Sequence, residues 1–128
     1  MAIDAADKIA LHDLIGRYTH TLDYGDVGDM DHVWSEDCVF TVDVPAFEAT
    51  GREAVKNMLR STKAGYPQVR HMVTNVFVEA VGDGAVIHSY LQIVDVVKMA
   101  VTMFARYEDA CVKTPQGWRI QRRRCLNG

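Results

Sequence analysis

Three side chains in this sequence have the chemistry for acid–base work and stand where a purely structural role carries a cost: Asp23, His71 and His88. An imidazole titrates near neutral pH and can act as a general base, while a carboxylate can orient it or hold a charge. Asp23 lies in the last turn of an amphipathic stretch, where a negative charge opposes the helix dipole. On a wheel of about 100° per residue it falls roughly 120° from the apolar stripe, so a regular helix turns it away from a core. It reads either as a solvated helix-end acid or as an acid held at a cavity mouth. His71 opens a long β-rich run, with Val73, Asn75 and Phe77 on its face and Met72, Thr74, Val76 and Val78 on the other. A strand apolar on both sides cannot take a bare imidazole, so His71 either lies at an exposed strand start or has a partner inside. His88 shares a face with Tyr90 and Gln92 and is open to the same two readings.

The elements that must position these residues follow from periodicity. Leu11, Leu14, Ile15, Tyr18 and Leu22 repeat at helical spacing, with Asp4 as N-cap and Gly25 as stop. A shorter helix over 27–34, capped by Asp26, buries Met30, Val33 and Trp34. Residues 38–44 read as a strand ending at Pro45, and Ala54, Val55, Met58 and Leu59 mark a third helix over 51–61 with Thr50 as its cap. From residue 70 onward the texture becomes β-rich, in runs at 70–81, 85–97, 100–113 and 118–126. Gly82-Asp83-Gly84 and Thr114-Pro115-Gln116-Gly117 are turns between them, whereas Lys98-Met99 carries no turn residue. Helices followed by a meander predict an α+β fold, with helices on one face of a curved, mainly antiparallel sheet that encloses a cavity.

Composition narrows the function classes. A chain of 128 residues with 48% hydrophobic and 24% charged residues predicts one globular domain over 1–128 rather than disorder or a coiled coil. A net charge of −3 argues against nucleic acid as a partner, and the cluster Arg119, Arg122, Arg123 and Arg124 is divided by strand alternation between two faces, as solvated or paired arginines. The three cysteines, Cys38, Cys111 and Cys125, have no CxxC spacing and predict neither a disulfide framework nor a zinc site, with Cys38 as core filler. The acidic N-terminus and the lack of an 18-residue apolar stretch predict a cytoplasmic chain with no membrane partner. HExxH, GxGxxG, GxxxxGK[ST] and GxSxG are all missing, so no metal or dinucleotide, P-loop or α/β-hydrolase chemistry is indicated.

Nearly the whole chain resembles the SnoaL-like branch of the NTF2-like superfamily, the cone-shaped α+β fold of scytalone dehydratase, ketosteroid isomerase and polyketide cyclases. The carriers are Asp13-Leu14-Ile15-Gly16-Arg17-Tyr18 leading to Leu22-Asp23-Tyr24-Gly25-Asp26, then Trp34-Ser35-Glu36-Asp37-Cys38-Val39-Phe40 and Gly51-Arg52-Glu53-Ala54-Val55. They continue with Arg70-His71-Met72-Val73-Thr74-Asn75, Arg106-Tyr107-Glu108-Asp109 and Gly117-Trp118-Arg119-Ile120. The resemblance implies three N-terminal helices packed on the curved sheet. Lyases of this superfamily use an Asp–His pair, the acid late in the first helix and the histidine at the start of the first long strand, and Asp23 and His71 occupy those places. The same resemblance makes Tyr18, five residues before the acid, and Tyr24, next to it, candidate catalytic phenols, and His88 a candidate second histidine. Asp95 is the candidate base on the ketosteroid isomerase pattern.

The implied activity is a cofactor-free lyase of the dehydratase type, acting on a small, mostly apolar cyclic hydroxy-carbonyl compound. A carboxylate on one ring nitrogen leaves the other as a base that removes a proton beside a carbonyl, and a phenol or second histidine steadies the enolate or protonates the leaving hydroxyl. Two other readings stay open on the same fold: a non-catalytic module that binds a small ligand or a partner subunit, and an isomerase or polyketide cyclase. The resemblance also implies association as a homodimer or homotrimer through the outer faces of the sheets.

Overall fold

In the computed structural model, which describes residues 3–128, the chain runs α1 (Ala5–Tyr24), a 3-10 helix (Val27–His32), β1 (Trp34–Val42), β2 (Phe47–Thr50), α2 (Arg52–Gly65), β3 (Val69–Val81), β4 (Gly84–Asp95), β5 (Ala100–Thr114) and β6 (Gly117–Asn127). The six strands form one sheet in the order β2-β1-β6-β5-β4-β3. All neighbours are antiparallel except β1 and β6, which run parallel. This is the α+β curved-sheet fold expected from the sequence, with three differences in detail. The second helix is a 3-10 turn that ends at His32, so Trp34 opens β1. The short strand β2 is an addition to the expected elements, and the third helix, α2, follows it and runs on to Gly65. Its N-cap is Gly51 at φ +90°, a conformation Thr50 could not adopt without strain, and no side chain caps that end.

The first helix begins as its sequence dictates. Asp4 accepts from the Asp7 amide and the Asp7 carboxylate accepts from the Asp4 amide, a reciprocal capping box. Asp7 also ties the helix to the far hairpin, since its Oδ1 accepts from Lys113 Nζ at 2.9 Å and from the Trp118 indole at 3.0 Å. Leu11, Leu14, Ile15, Tyr18 and Leu22 then face the sheet.

Strand alternation divides the sheet cleanly. Ile87, Ser89 and Leu91 on β4, Ala105, Tyr107, Asp109 and Cys111 on β5, and Ile120, Arg123 and Cys125 on β6 face inward and are buried with Trp34, Cys38 and Phe40. The outer face exposes Met72, Phe77, Tyr90 and Phe104. A bulge between Thr74 and Phe77, with Asn75 at φ 55°, switches the side of β3 from which residues project. Phe77 therefore pairs with His88 on the outer face instead of following His71 and Val73 inward. At the tight turn after β4, the Asp95 carboxylate accepts from the amides of Val97 and Lys98, both at 3.0 Å, and Met99 sits at φ 53°. That supplies the turn chemistry missing from Lys98-Met99 and leaves Asp95 buried in a structural role, not as a base. Among the described residues, no helix is long and apolar enough to cross a membrane.

Candidate functional site

The end of α1 and the start of β3 bring Asp23 and His71 together. Asp23 Oδ1 accepts from His71 Nδ1 at 2.8 Å, and Oδ2 accepts from the backbone amide of the same residue, also at 2.8 Å. Both carboxylate oxygens thus grip one residue. The two side chains are nearly dry, with 7% of Asp23 and 9% of His71 accessible. The wheel placed Asp23 off the apolar stripe, and the correction is geometric: α1 ends at the edge strand β3, so a residue on the flank of the helix meets the strand's first turn rather than solvent. Because the carboxylate takes the proton on Nδ1, the ring is held in the tautomer that leaves Nε2 as the acceptor, and Nε2 meets no hydrogen-bond partner among the described residues.

Two recesses share this pair as a wall. One, of about 70 Å³, is lined by Leu22, Thr62, Lys63, Tyr66, Pro67 and Val69 with Asp23, Arg70 and His71. The other, of about 170 Å³, adds Thr19, His20 and Tyr24 to Asp23, Arg70 and His71. A larger groove of about 530 Å³ runs between Asp31, Arg52 and Arg119 and touches neither member of the pair; Arg52 pairs with Asp31 there, and Arg119 donates to the Asp31 and Trp118 carbonyls. Size and chemistry therefore point to different places, and the chemistry lies in the smaller ones.

The remaining candidates separate. Tyr18 packs edge-on against the His71 ring at 6.5 Å and against Trp34 at 5.8 Å. Its hydroxyl is directed into the interior, where it is hydrogen-bonded to Tyr107. Burial pushes the pKa of both phenols up, partly offset by the nearby Arg123 charge, so both stay protonated at neutral pH. Tyr24 is exposed on the helix end, with the Arg70 guanidinium over its ring at 4.8 Å. His88 lies on the opposite face of the sheet from His71, stacked on Phe77 at 4.4 Å and bonded through Nε2 to Glu79 at 2.8 Å. It cannot reach the recess. The expected second histidine fails because β4 alternates His88, Tyr90 and Gln92 outward and Ile87, Ser89 and Leu91 inward.

Beneath Tyr18 lies a centre that the sequence reading did not assemble. Arg123 is fully buried and donates to both Asp109 oxygens, Nε at 2.7 Å and Nη2 at 2.9 Å. Its guanidinium is packed among the rings of Tyr107 at 3.8 Å, Tyr18 at 4.2 Å, Trp34 at 5.3 Å and Phe40 at 5.9 Å. Burial alone works against the charge, but Asp109 outweighs it and keeps Arg123 protonated. The available signal was Asp109, an acid between Tyr107 and Cys111 on a face that is otherwise apolar. Among the described residues, no group of three or more His, Cys, Asp or Glu side chains converges to hold a metal ion.

Comparison with known proteins agrees with this architecture. The family model for a SnoaL-like domain matches residues 4–124. The chain is similar to a protein of unknown function with a cystatin-like fold from Nostoc punctiforme (TM-score 0.86, 22% identity, 98% of this chain and 93% of the other). It is similar as well to an NTF2-like protein from Novosphingobium aromaticivorans (TM-score 0.85, 25% identity, 94% and 80%). A third likeness is to a candidate scytalone dehydratase from the same organism (TM-score 0.76, 23% identity, 91% and 80%). Among curated proteins, none matches.

Proposed function

The chain belongs to the SnoaL-like domain family, and from that premise we propose that it is a cofactor-independent lyase of the dehydratase type, with Asp23 and His71 as its general-base pair. The observation that carries this reading is the double grip of Asp23 on His71, on Nδ1 and on the backbone amide. It fixes ring, tautomer and position together, and a base is useful only when its lone pair is aimed in advance.

In the proposed reaction Nε2 takes a proton from the carbon beside a carbonyl. The C–H electron pair becomes the new C=C bond, the C–O bond at the next carbon breaks, and the imidazolium returns its proton to the departing hydroxyl as water. Atoms and electrons balance without a redox partner. Asp23 stabilises the imidazolium while it exists. Tyr18 acts as a positioning residue: its ring backs His71 and its hydroxyl is anchored on Tyr107. The apolar walls from Leu22, Tyr66, Pro67 and Val69 support a small, mostly apolar hydroxy-carbonyl substrate.

An elimination of this kind yields a conjugated product. A panel of cyclic β-hydroxy ketones followed by ultraviolet absorbance is expected to give a growing enone band that His71→Ala abolishes. Saturable binding with no absorbance change for any member would instead favour a non-catalytic ligand-binding module.

A further inference from the structure

We infer that the recess beside His71 takes an acid: the substrate carries a carboxylate that docks on Arg70, with Lys63 as the second cation. The inference rests on the proposed site at Asp23 and His71 and adds the charge of its ligand.

The recess holds two cations, Lys63 and Arg70, that have no carboxylate partner among the described residues. Lys63 Nζ donates only to the Gly25 carbonyl, at 2.7 Å. Arg70 spends Nη1 on the carbonyls of Pro67 and Val69, at 3.0 and 2.8 Å, and presents the face of its guanidinium to Tyr24. These contacts orient the group and leave its other edge unused. Among the described residues Nε is buried with no acceptor, and both bonds that the guanidinium makes leave from Nη1 rather than Nη2. The Nε–Nη2 edge is the one that meets a carboxylate through two parallel N–H···O bonds. The only carboxylate lining the recess, Asp23, has both oxygens turned onto His71 and none for Arg70. The wall therefore carries two positive charges against one negative charge while the whole chain is at −3. Four other arginines meet acids, Arg17 with Asp13, Arg52 with Asp31, Arg123 with Asp109 and Arg124 with Glu108, whereas Arg60, Arg106 and Arg119 donate to amide or carbonyl oxygens and, unlike Arg70, line neither recess beside His71. Arg70 lies next to the proposed base in sequence and lines both recesses that His71 lines, so a carboxylate bound there stands within a small molecule's length of Nε2.

The test uses an unreactive pair of equal shape, cyclohexanecarboxylate and cyclohexanecarboxamide, titrated into the labelled full chain. The readouts are the Arg70 Nε–Hε and His71 ring resonances. The carboxylate is expected to shift both and to bind about tenfold or more tightly than the amide, because the charged acceptor makes the stronger hydrogen bonds. Arg70→Met is expected to erase that preference, Lys63→Met to reduce it, and Arg70→Lys to restore part of it by charge without the fork. Equal affinity for the two probes, no binding of either at millimolar concentration, or a preference that survives Arg70→Met would overturn the inference. The lyase reading stands apart: carboxylate preference retained by a chain that turns over no hydroxy-carbonyl compound rejects the lyase alone. Turnover of a neutral β-hydroxy ketone, unchanged by Arg70→Met and with no carboxylate preference, rejects the acid alone.

Discussion

Both oxygens of Asp23 are committed to His71, one to the ring and one to the backbone amide. The two bonds do different jobs. The ring bond sets which nitrogen carries the proton, and the amide bond fixes where the strand begins relative to the end of the helix. One side chain therefore couples the packing of α1 on β3 to the protonation state of a candidate base, across 48 residues of sequence.

That coupling makes Asp23→Asn a sharp test. The amide keeps one acceptor for the His71 amide, but its NH₂ can donate toward Nδ1 and favour the wrong tautomer. Turnover is expected to fall by about three to four orders of magnitude, with the far-ultraviolet circular dichroism spectrum unchanged. A loss of cooperative unfolding in this variant would instead assign Asp23 to the fold.

How much of this was legible beforehand differs by residue. The Asp4 cap, the Gly25 stop and the four long strands follow from local chemistry, and the structure has them with ends shifted by one to a few residues. Asp23 did not yield to a helical wheel, because a wheel knows the axis of one helix and not the strand its end abuts. Phe77 was assigned to the wrong face because alternation assumes an unbroken ladder, and the bulge at Asn75 is a tertiary accommodation. The parallel pairing of β1 with β6 joins strands about 80 residues apart, which periodicity cannot register. Arg123 and Asp109 were each visible, but their meeting depends on the register between β5 and β6.

Tyr18 distinguishes a catalytic phenol from a positioning one. A general acid contributes about 10²- to 10⁴-fold, so Tyr18→Phe would cost that much if its hydroxyl met substrate. With the hydroxyl buried on Tyr107, the expected loss in kcat is under about tenfold. Stability should fall by about 1–3 kcal/mol, since the Tyr107 hydroxyl loses its buried partner. Steady-state kinetics and urea denaturation measure the two effects separately.

The Arg123–Asp109 pair predicts an asymmetry. Removing one charge leaves the other buried and alone, so Asp109→Leu or Arg123→Met should each cost about 3–5 kcal/mol. Replacing both together should cost much less than the sum of the single changes, because no orphan charge remains. Urea midpoints of the two single variants and the double variant close the cycle. Additive losses would mean that the ring contacts of the guanidinium, rather than its charge, carry its effect.

His88 gives a control on the other side of the sheet. Its ring stacks on Phe77 and meets Glu79, out of reach of the recess beside His71. His88→Ala is expected to leave kcat/KM within about twofold and to lower stability by about 0.5–1.5 kcal/mol, through loss of the Phe77 stack and the Glu79 bond. A hundredfold loss of turnover would mean that the outer face takes part in the reaction.

Asp7 predicts how the fold responds to acid. Its carboxylate is held well below the usual range first by the Lys113 ammonium, then by the Trp118 indole and the Asp4 amide, with burial opposing them more weakly. A carboxyl whose folded value is depressed binds fewer protons in the native state than in the unfolded one. Its stabilisation is therefore complete above the ordinary aspartate value of about 3.9 and is lost as pH falls below it toward the folded value. Asp7→Asn should lower stability at neutral pH and flatten the dependence on pH below about 4. Lys113→Met should flatten it in part, because the indole and amide bonds remain. Urea midpoints at a series of pH values give both comparisons, and curves for Asp7→Asn that run parallel to the parent below pH 4 would reject Asp7 as the group that links α1 to acid unfolding.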